Sequence, residues 1–203
     1  MALEEPGLPA ANADWLSYLT PDWLAESLFA VTAERLKSLG LAGLMLDMDN
    51  TLTEYHSTDF TPEVIEWLGG IHDAGIETCV VSNTNRVTRL QRLCEPHGVK
   101  YVLGVRKPRR KGFRLALEKM GTPRERTAIC GDQIFTDMLG GKRMGLYTIL
   151  VPPLSPKEFL GTKWISRNLE RVLFSYLERN RRTPAPAPVL PASPSPDEGR
   201  EGR

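Results

Sequence analysis

Cysteine and histidine are scarce in this sequence, with three of each among 203 residues. The spacing of Cys79, Cys94 and Cys130 fits no zinc-binding motif, and an odd number of cysteines is a poor basis for a disulfide framework. Because Cys79 and Cys130 each lie in an apolar run typical of a strand, we expect buried, reduced thiols and a reducing, cytoplasmic environment. The fold must then rest on a hydrophobic core, which a chain of this length can supply.

Long apolar runs and a strong net charge are also missing. No stretch approaches the roughly 18 apolar residues that a membrane-spanning helix needs. Residues 1–10 are acidic and contain proline, without a basic start or an apolar stretch, so we expect no secretory signal. The formal charge is +1, so net charge argues neither for nor against nucleic acid. We predict no nucleic-acid partner, and the sequence leaves the oligomeric state open.

Composition divides the chain into three parts. Residues 183–203 hold six of the 16 prolines and no aromatic residue. Such a segment cannot bury enough apolar surface to offset its ordering entropy, so we predict a disordered tail. Residues 41–182 are predicted to form one α/β domain that includes a C-terminal helix. Residues 1–40 are predicted to be a helical lead-in that packs on or flanks this core.

Strand and helix patterns alternate through the predicted domain. Five strands are predicted at residues 41–46, 76–81, 99–103, 127–130 and 146–151. Helices are predicted from Thr61-Pro62 to Gly75, over 85–95 and over 111–120, with another before the last strand that Gly140 and Gly141 weaken. This alternation implies parallel pairing, hence a doubly wound, Rossmann-like sheet of about five strands with helices on both faces.

Polar residues follow three of these strands at the edge where ligands bind in such sheets. The residues concerned are Asp47 and Asp49 after the first strand, Ser82 and Asn83 after the second, and Asp132 after the fourth. Because the carboxyl ends of parallel strands share one edge of the sheet, we expect these side chains to converge there.

The acidic members of this set predict a metal site. Asp47 and Asp49 lie two residues apart after a buried strand, where two carboxylates repel each other unless a cation is present. Asp132 and Asp137 add further oxygen ligands. Hard ligands at this density suit Mg²⁺, which keeps several waters and shares its remaining ligands with a phosphate.

Two further elements are compatible with phosphate binding. Ser82 and Asn83 lie at a strand-to-helix turn, where a hydroxyl and backbone N–H groups can cradle phosphate, although such residues are also ordinary helix caps. Lys107 could hold a phosphoryl oxygen and offset the acidic residues. By itself, however, the run from Arg106 to Lys111 is more typical of a solvated basic surface.

Together, these elements resemble the four motifs of the haloacid dehalogenase superfamily. Residues 47–51 are similar to its Asp-x-Asp-x-Thr signature, Ser82 to its Ser/Thr, Lys107 to its lysine, and residues 131–137 to its Gly-Asp-x-x-x-x-Asp. More narrowly, Asp-Asn-Thr-Leu, Arg-Lys-Pro and Gly-Asp-Gln-x-x-Thr-Asp resemble the YqeG branch, which is related to phosphatidylglycerophosphate phosphatases. Met48 stands where leucine is commoner, a minor change between apolar neighbours.

The resemblance implies a phosphatase that uses Mg²⁺ and an aspartyl-phosphate intermediate. Asp47 is then expected to be the nucleophile and Asp49 the acid and base. The expected metal ligands are the carboxylates of Asp47 and Asp132 and the backbone carbonyl of Asp49. Asp137 is expected to orient the site from outside the ligand shell or to bind the metal directly.

The resemblance also implies how the phosphoryl group is held. Ser82 and Lys107 are expected to bind it, with help from Asn83, and Asn50 is a further predicted substrate-binding residue. The segments after Asp49 and after Asn83 are too short for an inserted cap domain. Members without a cap have an open site, which accepts large or surface-bound substrates.

The substrate itself stays open at this point. The resemblance favours phosphatidylglycerophosphate or a similar anionic lipid at the inner membrane face. A soluble nucleotide, sugar phosphate, phosphoprotein or nucleic-acid end is the alternative. Apolar residues in 15–29 and the basic amphipathic segment 165–179 could bind an anionic membrane peripherally or pack on the sheet.

A signalling receiver module is the competing class, because it also stores phosphate on an aspartate with Mg²⁺. Receivers place the acceptor on a middle strand and the lysine near the last strand. In this chain Asp47 follows the first predicted strand and Lys107 precedes the final acidic pair. The order therefore favours a phosphatase.

Overall fold

A computed structural model of the protein describes residues 15–55 and 57–154. Its centre is a six-stranded, all-parallel sheet with the order β1-β6-β5-β2-β3-β4. The strands are β1 (Trp23–Leu24), β2 (Gly43–Leu46), β3 (Glu77–Val81), β4 (Lys100–Val102), β5 (Thr127–Gly131) and β6 (Tyr147–Leu150). The predicted doubly wound α/β fold is confirmed.

The strand that sequence reasoning missed is β1, at the edge of the sheet. It has two residues, and Trp23 pairs with Ile149 while Leu24 pairs with Leu150. A two-residue strand is too short to show a period in sequence, so only its pairing identifies it. Residues 15–40 thus contribute a strand as well as helices.

The position of β2 at the centre of the sheet follows from its sequence. All four residues are buried, as expected for a strand covered on both faces. The chain proceeds from β2 through β3 to β4 on one side, then returns to β5 and β6 on the other. The strand order therefore reverses beside β2, and its carboxyl end is the point where such sheets bind ligands.

Helices cover both faces of the sheet. The α-helices are α1 (Leu16–Leu19), α2 (Ala33–Ser38), α3 (Pro62–Asp73), α4 (Val87–Cys94), α5 (Arg110–Met120) and α6 (Leu139–Met144). Short 3₁₀ turns occupy Leu28–Ala30, Glu95–His97 and Arg124–Arg126, and a π-helix spans Ile134–Met138. The apolar side chains of α3 and α4 pack with Leu44 and Leu46, whereas those of α5 pack with Met45 and Ile129. Alternate residues of one strand thus face opposite layers.

The helix boundaries follow the predicted capping signals. Thr61 accepts a hydrogen bond from the Val64 backbone N–H at 3.4 Å, and Pro62 occupies the first turn of α3. Gly121 ends α5 in a left-handed conformation with φ of 70°. Helix α4 begins at Val87, two residues later than predicted, because Asn85 belongs to the turn before it.

The predicted helix before the last strand is a π-helix followed by α6. The two glycines of α6 allow it to pack closely on α5 and β5. A Cβ on Gly140 would lie 2.4 Å from Phe113 Cζ, and one on Gly141 would lie 2.3 Å from Ile129 Cγ2. These positions therefore exclude larger residues for steric reasons.

The apolar residues of segment 15–29 divide between core and surface. Leu19 and Leu28 are buried, whereas Trp15 is 61% exposed and Phe29 is 43% exposed. Within the described ranges, no helix combines the length and the apolar character needed to cross a membrane. The predicted segment 165–179, the tail 183–203 and residues 1–14 lie outside the described residues.

Candidate active site

Three carboxylates meet at the carboxyl edge of the sheet. Asp47 directly follows β2, and its backbone N–H donates to the Cys130 carbonyl at 2.9 Å, which continues the ladder between β2 and β5. Asp132 directly follows β5, and Asp137 belongs to the π-helix. All three are buried, and each offers a ligand oxygen within 4.8 Å of the others. Residues 85 positions apart in sequence are thus brought into one cluster.

Lys107 places its ammonium group inside this acidic cluster. Its Nζ donates to Asp47 Oδ1 and, at 2.6 Å, to Asp137 Oδ1. The side chain of Lys107 is only 2% exposed, although its neighbours Arg106 and Arg109 are exposed. The Lys107 backbone N–H donates to Asn83 Oδ1 at 2.6 Å, and the peptide bond from Lys107 to Pro108 is cis. Asn83 therefore anchors the backbone that presents the lysine.

The cluster holds more negative charge than Lys107 can neutralise, since three carboxylates face one ammonium. Burial raises the pKa of Asp47 to about 7, with repulsion from Asp137 and Asp132 adding to the effect and Lys107 opposing it. Burial and repulsion from Asp137 raise the pKa of Asp132 to about 6. Burial disfavours the charged form of Lys107, but the carboxylates of Asp137 and Asp47 outweigh it and raise the lysine pKa. A divalent cation would relieve this excess.

The donor atoms fit such a cation. Asp132 Oδ1 accepts from Thr51 Oγ1 at 3.3 Å, whereas Asp132 Oδ2 is buried without a hydrogen-bond partner among the described residues. Buried polar atoms are normally paired, so an orphaned carboxylate oxygen indicates a missing ligand. Carboxylate oxygens are the ligands that Mg²⁺ prefers. The side chain of Asp49 is not part of the cluster.

Both oxygens of Asp137 have partners within the protein. Oδ1 accepts from Lys107, and Oδ2 accepts from the Gln133 backbone N–H at 3.2 Å. A Cβ on Gly131 would lie 2.4 Å from Asp137 Oδ2, so glycine is required for this close approach. The arrangement suits an orienting role more than direct metal ligation, and that role stays a prediction.

Asp49 lies apart from the cluster and pairs with Arg89, which sequence reasoning missed. Arg89 Nη1 lies 2.6 Å from Asp49 Oδ1. The signal available in sequence is weak: Arg86 directly precedes α4 and Arg89 lies in its first turn, just after the Ser82-Asn83 turn. Their pairing with a loop 40 residues earlier has no sequence signature.

A cleft of about 340 Å³ opens beside these residues. It is lined by Asp47, Asp49, Tyr55, Ser82, Asn83, Thr84, Arg86, Arg89, Lys107, Gln133 and Thr136. Ser82 is 2% exposed, and its Oγ accepts from the Thr84 backbone N–H at 3.2 Å. Two carboxylates, a hydroxyl, a lysine and two arginines thus share one cleft.

Asn50, a predicted substrate-binding residue, is absent from this lining. It adopts φ of 62°, a left-handed conformation that asparagine tolerates. Its backbone joins the loop to Thr53 and Leu154, with N–H···O distances of 2.8 Å for both bonds. Its Oδ1 is buried without a hydrogen-bond partner among the described residues. Substrate binding by Asn50 therefore stays a prediction.

Comparison with known proteins adds an independent line of information. A family model described as haloacid dehalogenase-like hydrolase matches residues 11–145. The chain is 36% identical over 162 residues to the probable phosphatase YqeG of Bacillus subtilis (strain 168), an alignment that covers 80% of this chain and 93% of that protein.

A second relative is phosphatidylglycerophosphate phosphatase 1, chloroplastic/mitochondrial, of Arabidopsis thaliana, with 28% identity over 172 residues. The match covers 80% of this chain but 48% of that protein, so the chain spans about half of its length. Among solved structures, an uncharacterized protein from Listeria monocytogenes serotype 4b matches with a TM-score of 0.47 and 15% identity, covering 59% of this chain and 97% of that chain.

Proposed function

This chain belongs to the haloacid dehalogenase-like hydrolase family, as a phosphatase of its YqeG branch, and from that premise we propose that it is Mg²⁺-dependent and forms an aspartyl-phosphate on Asp47. The observation that supports this most is the buried ammonium of Lys107 between Asp47 and Asp137, with Asp132 within 4.8 Å of both carboxylates. This grouping supports the proposal that Asp47 is a carboxylate nucleophile, that Lys107 is a phosphate-binding cation and that the acidic residues bind metal.

The first chemical step is an in-line displacement at phosphorus. Lys107 holds Asp47 Oδ1, and the other carboxylate oxygen of Asp47 attacks. As the new O–P bond forms, the bond from phosphorus to the leaving oxygen breaks, and Asp49 gives its proton to that oxygen. The product alcohol leaves, and Asp47 carries the phosphoryl group.

The second step returns the enzyme to its starting state. A water attacks the phosphorus of the aspartyl-phosphate while Asp49 takes a proton from the water. The O–P bond to Asp47 breaks, which releases inorganic phosphate and restores both carboxyl groups to their original protonation. Asp49 therefore needs a fixed position that faces the leaving group and then the water.

Charged and polar groups around the phosphoryl oxygens supply the remaining stabilisation. Ser82 and Lys107 bind these oxygens, and Asn83 contributes by holding the Lys107 backbone at 2.6 Å. Because these donors are already placed, they need no reorganisation when negative charge spreads in the transition state.

The carboxylates of Asp47 and Asp132 and the backbone carbonyl of Asp49 would hold Mg²⁺. When bound, the ion neutralises charge on the phosphoryl oxygens and on the carboxylate cluster. Asp137 orients the site through its bonds to Lys107 and the Gln133 backbone.

We propose an anionic phospholipid, phosphatidylglycerophosphate or a similar monoester, as the substrate. The named activity of the Arabidopsis relative supports this choice. Aromatic residues at the cleft also support it, because Tyr55 lines it with 52% exposure, and Phe135 lies between the lining residues Gln133 and Thr136 with 39% exposure. Arg86 and Arg89 add positive charge to the same wall. Such a rim suits peripheral contact with an anionic membrane from the cytoplasmic side.

A soluble phosphate ester is the second candidate, since a cleft of about 340 Å³ also suits a small molecule. The deciding experiment measures phosphate release by the full chain from phosphatidylglycerophosphate in mixed micelles, an aryl phosphate, nucleotides and sugar phosphates. Each substrate is tested with Mg²⁺ and with a chelator. We expect Mg²⁺-dependent release with strong preference for the lipid. Turnover of soluble esters with none on the lipid would discard the lipid proposal and keep the chemistry.

A further inference from the structure

Arg89 contacts the loop that carries Asp49 at three points. Its Nη1 donates to Asp49 Oδ1 at 2.6 Å, its Nε to the Ser57 carbonyl at 2.8 Å, and its Nη2 to the Glu54 carbonyl at 3.3 Å. A planar guanidinium with five donors can satisfy three acceptors at once, which an ammonium on a flexible stem cannot do in the same geometry. One side chain from α4 thus ties together both ends of the segment from Asp49 to Ser57.

This contact differs from ordinary surface pairing. The side chain of Arg89 is 10% exposed and that of Asp49 is 19% exposed. One turn further along α4, Arg92 lies 3.4 Å from Asp59, with side-chain exposures of 65% and 69%. Arg92 does not line the cleft, whereas Arg89 and Asp49 both do. The two arginines therefore form a natural pair of test and control.

Asp49 depends on Arg89 for its position. It lies outside the three-carboxylate cluster, and its Oδ1 accepts a hydrogen bond from Arg89. Without the guanidinium, the Asp49 side chain could rotate among its rotamers, and the loop at Glu54 and Ser57 would lose two anchors.

We propose that Arg89 is a positioning residue that holds Asp49 where it exchanges a proton with the leaving oxygen and then with the attacking water. This inference rests on the proposed function, in which Asp49 is the acid and base. The proton passes from Asp49 to the leaving oxygen as the P–O bond breaks, and Arg89 itself gains or loses no proton. Its effect is confined to geometry, so it should alter the rate of chemistry more than the binding of substrate.

The test compares Arg89→Ala, Arg89→Lys and Arg92→Ala in the full chain with saturating Mg²⁺. Two substrates are used: p-nitrophenyl phosphate, whose leaving group needs little protonation, and an alkyl phosphate such as glycerol phosphate, whose leaving group needs full protonation. The comparison uses kcat/KM, which reports formation of the aspartyl-phosphate, because both esters share the later attack of water that also involves Asp49. Because misplacement of a catalytic group by about 1 Å costs up to about 100-fold, we expect Arg89→Ala to lower kcat/KM for the alkyl ester by roughly 30- to 100-fold. The aryl ester should lose less than about 5-fold in kcat/KM, and KM should not rise by more than about 2-fold for either ester.

Two further measurements separate positioning from general damage. Guanidinium ion added to Arg89→Ala should restore part of kcat for the alkyl ester, and Arg92→Ala should match the wild type on both esters. In an Asp49→Asn background, Arg89→Ala should cause little further loss, because the two residues act as one unit.

The opposite results are equally clear. A raised KM with unchanged kcat would make Arg89 a substrate-binding residue and overturn the proposal, as would equal losses of kcat/KM on both esters without guanidinium rescue. If Arg89→Ala does not fold, Arg89→Lys decides: a loss confined to the alkyl ester supports positioning, and an equal loss or none contradicts it. Wild-type chain that hydrolyses neither these esters nor phosphatidylglycerophosphate in mixed micelles with Mg²⁺ would defeat the proposed function instead.

Discussion

The two halves of the cleft differ in how they handle charge. At its base, Asp47, Asp137 and Lys107 are nearly or fully buried and bonded to one another. On its wall, Asp49 and Arg89 are partly exposed and form one ion pair. Buried charges cost several kcal/mol to desolvate, so Asp47, Asp137 and Lys107 keep their positions only while all three are present. The wall of the cleft is partly exposed to solvent, and there the guanidinium of Arg89 joins Asp49 to the rest of its loop.

The largest effect is expected at the nucleophile. Asp47→Asn keeps the size of the side chain but cannot form the aspartyl-phosphate, so we expect turnover to fall by at least about 10⁴-fold. The fold should stay intact, since the amide oxygen can still accept from Lys107. The measurement is phosphate release from an aryl ester, with circular dichroism as the folding check. Asp73→Asn, at an exposed position, is the control; a normal rate for Asp47→Asn without deamidation would remove Asp47 from the mechanism.

Lys107→Ala is expected to have the next largest effect, on both activity and stability. It leaves Asp47 and Asp137 without their shared cation, and breaking a buried ion pair typically costs about 3–5 kcal/mol in the free energy of unfolding. Lys100→Ala breaks the exposed pair with Glu77 and should cost at most about 1 kcal/mol. Both values come from denaturant titration. Equal losses in the free energy of unfolding would show that the buried ion pairs of Lys107 stabilise the fold no more than the exposed pair of Lys100.

Removal of Mg²⁺ should affect the base of the cleft in a pH-dependent way. The pKa values of Asp47 and Asp132, raised from 3.8 to about 7 and about 6, mean that the folded chain takes up protons that the unfolded chain lacks. Without metal, the free energy of unfolding should therefore fall as pH rises from about 4 to about 7, by up to about 1.4 kcal/mol per pH unit for each group.

Bound Mg²⁺ requires the charged carboxylates, so the rise in Tm on adding Mg²⁺ should be larger at pH 8 than at pH 5.5. Thermal unfolding at both pH values, with Mg²⁺ and with a chelator, measures this difference. Asp132→Asn serves as the comparison and should show a smaller Mg²⁺ effect. A Tm shift that is identical at the two pH values would contradict the assignment of the excess charge to this cluster.

Gly140→Ala should cause a smaller effect by a steric route. A Cβ at this position would meet Phe113 Cζ at 2.4 Å, which would displace α6 and the π-helix that carries Asp137. We expect a loss of about 1–3 kcal/mol in the free energy of unfolding. Gly70→Ala in α3 has open space around its Cβ and should be neutral or stabilising by up to about 1 kcal/mol. If Gly140→Ala proves as neutral or stabilising as Gly70→Ala, the close contact with Phe113 does not limit stability and helix propensity governs Gly140.

Most of the residues at the base of the cleft could be predicted from sequence. Asp47 follows an apolar run that reads as a buried strand, and polar residues after parallel strands must share an edge of the sheet. The resemblance to the haloacid dehalogenase superfamily is confirmed by the family match over residues 11–145. Lys107 could not be predicted as a site residue from its local sequence, because the basic run around it is typical of a surface. Only the resemblance to the superfamily indicated it, and in the structure its side chain is buried while its neighbours Arg106 and Arg109 are exposed.

The wall of the cleft and the edge of the sheet could not be predicted. Arg89 pairs with Asp49 across 40 residues, and no local pattern reports a contact of that range. Strand β1 has two residues, too few for an alternation. The π-helix at 134–138 has no recognised sequence period, and its function here is to turn Asp137 toward Lys107. Each of these features depends on long-range contacts.

The central claim is that phosphate passes through Asp47, and chemical trapping tests it most directly. The full chain, and the Asp49→Asn variant in which hydrolysis of the intermediate should be slow, are quenched during turnover with Mg²⁺ and treated with borohydride. Borohydride reduces an aspartyl-phosphate to homoserine, which peptide mass spectrometry locates. We predict homoserine at position 47, with more in Asp49→Asn than in the wild type. Homoserine at another aspartate, or none in either protein while phosphate is released, would contradict the mechanism.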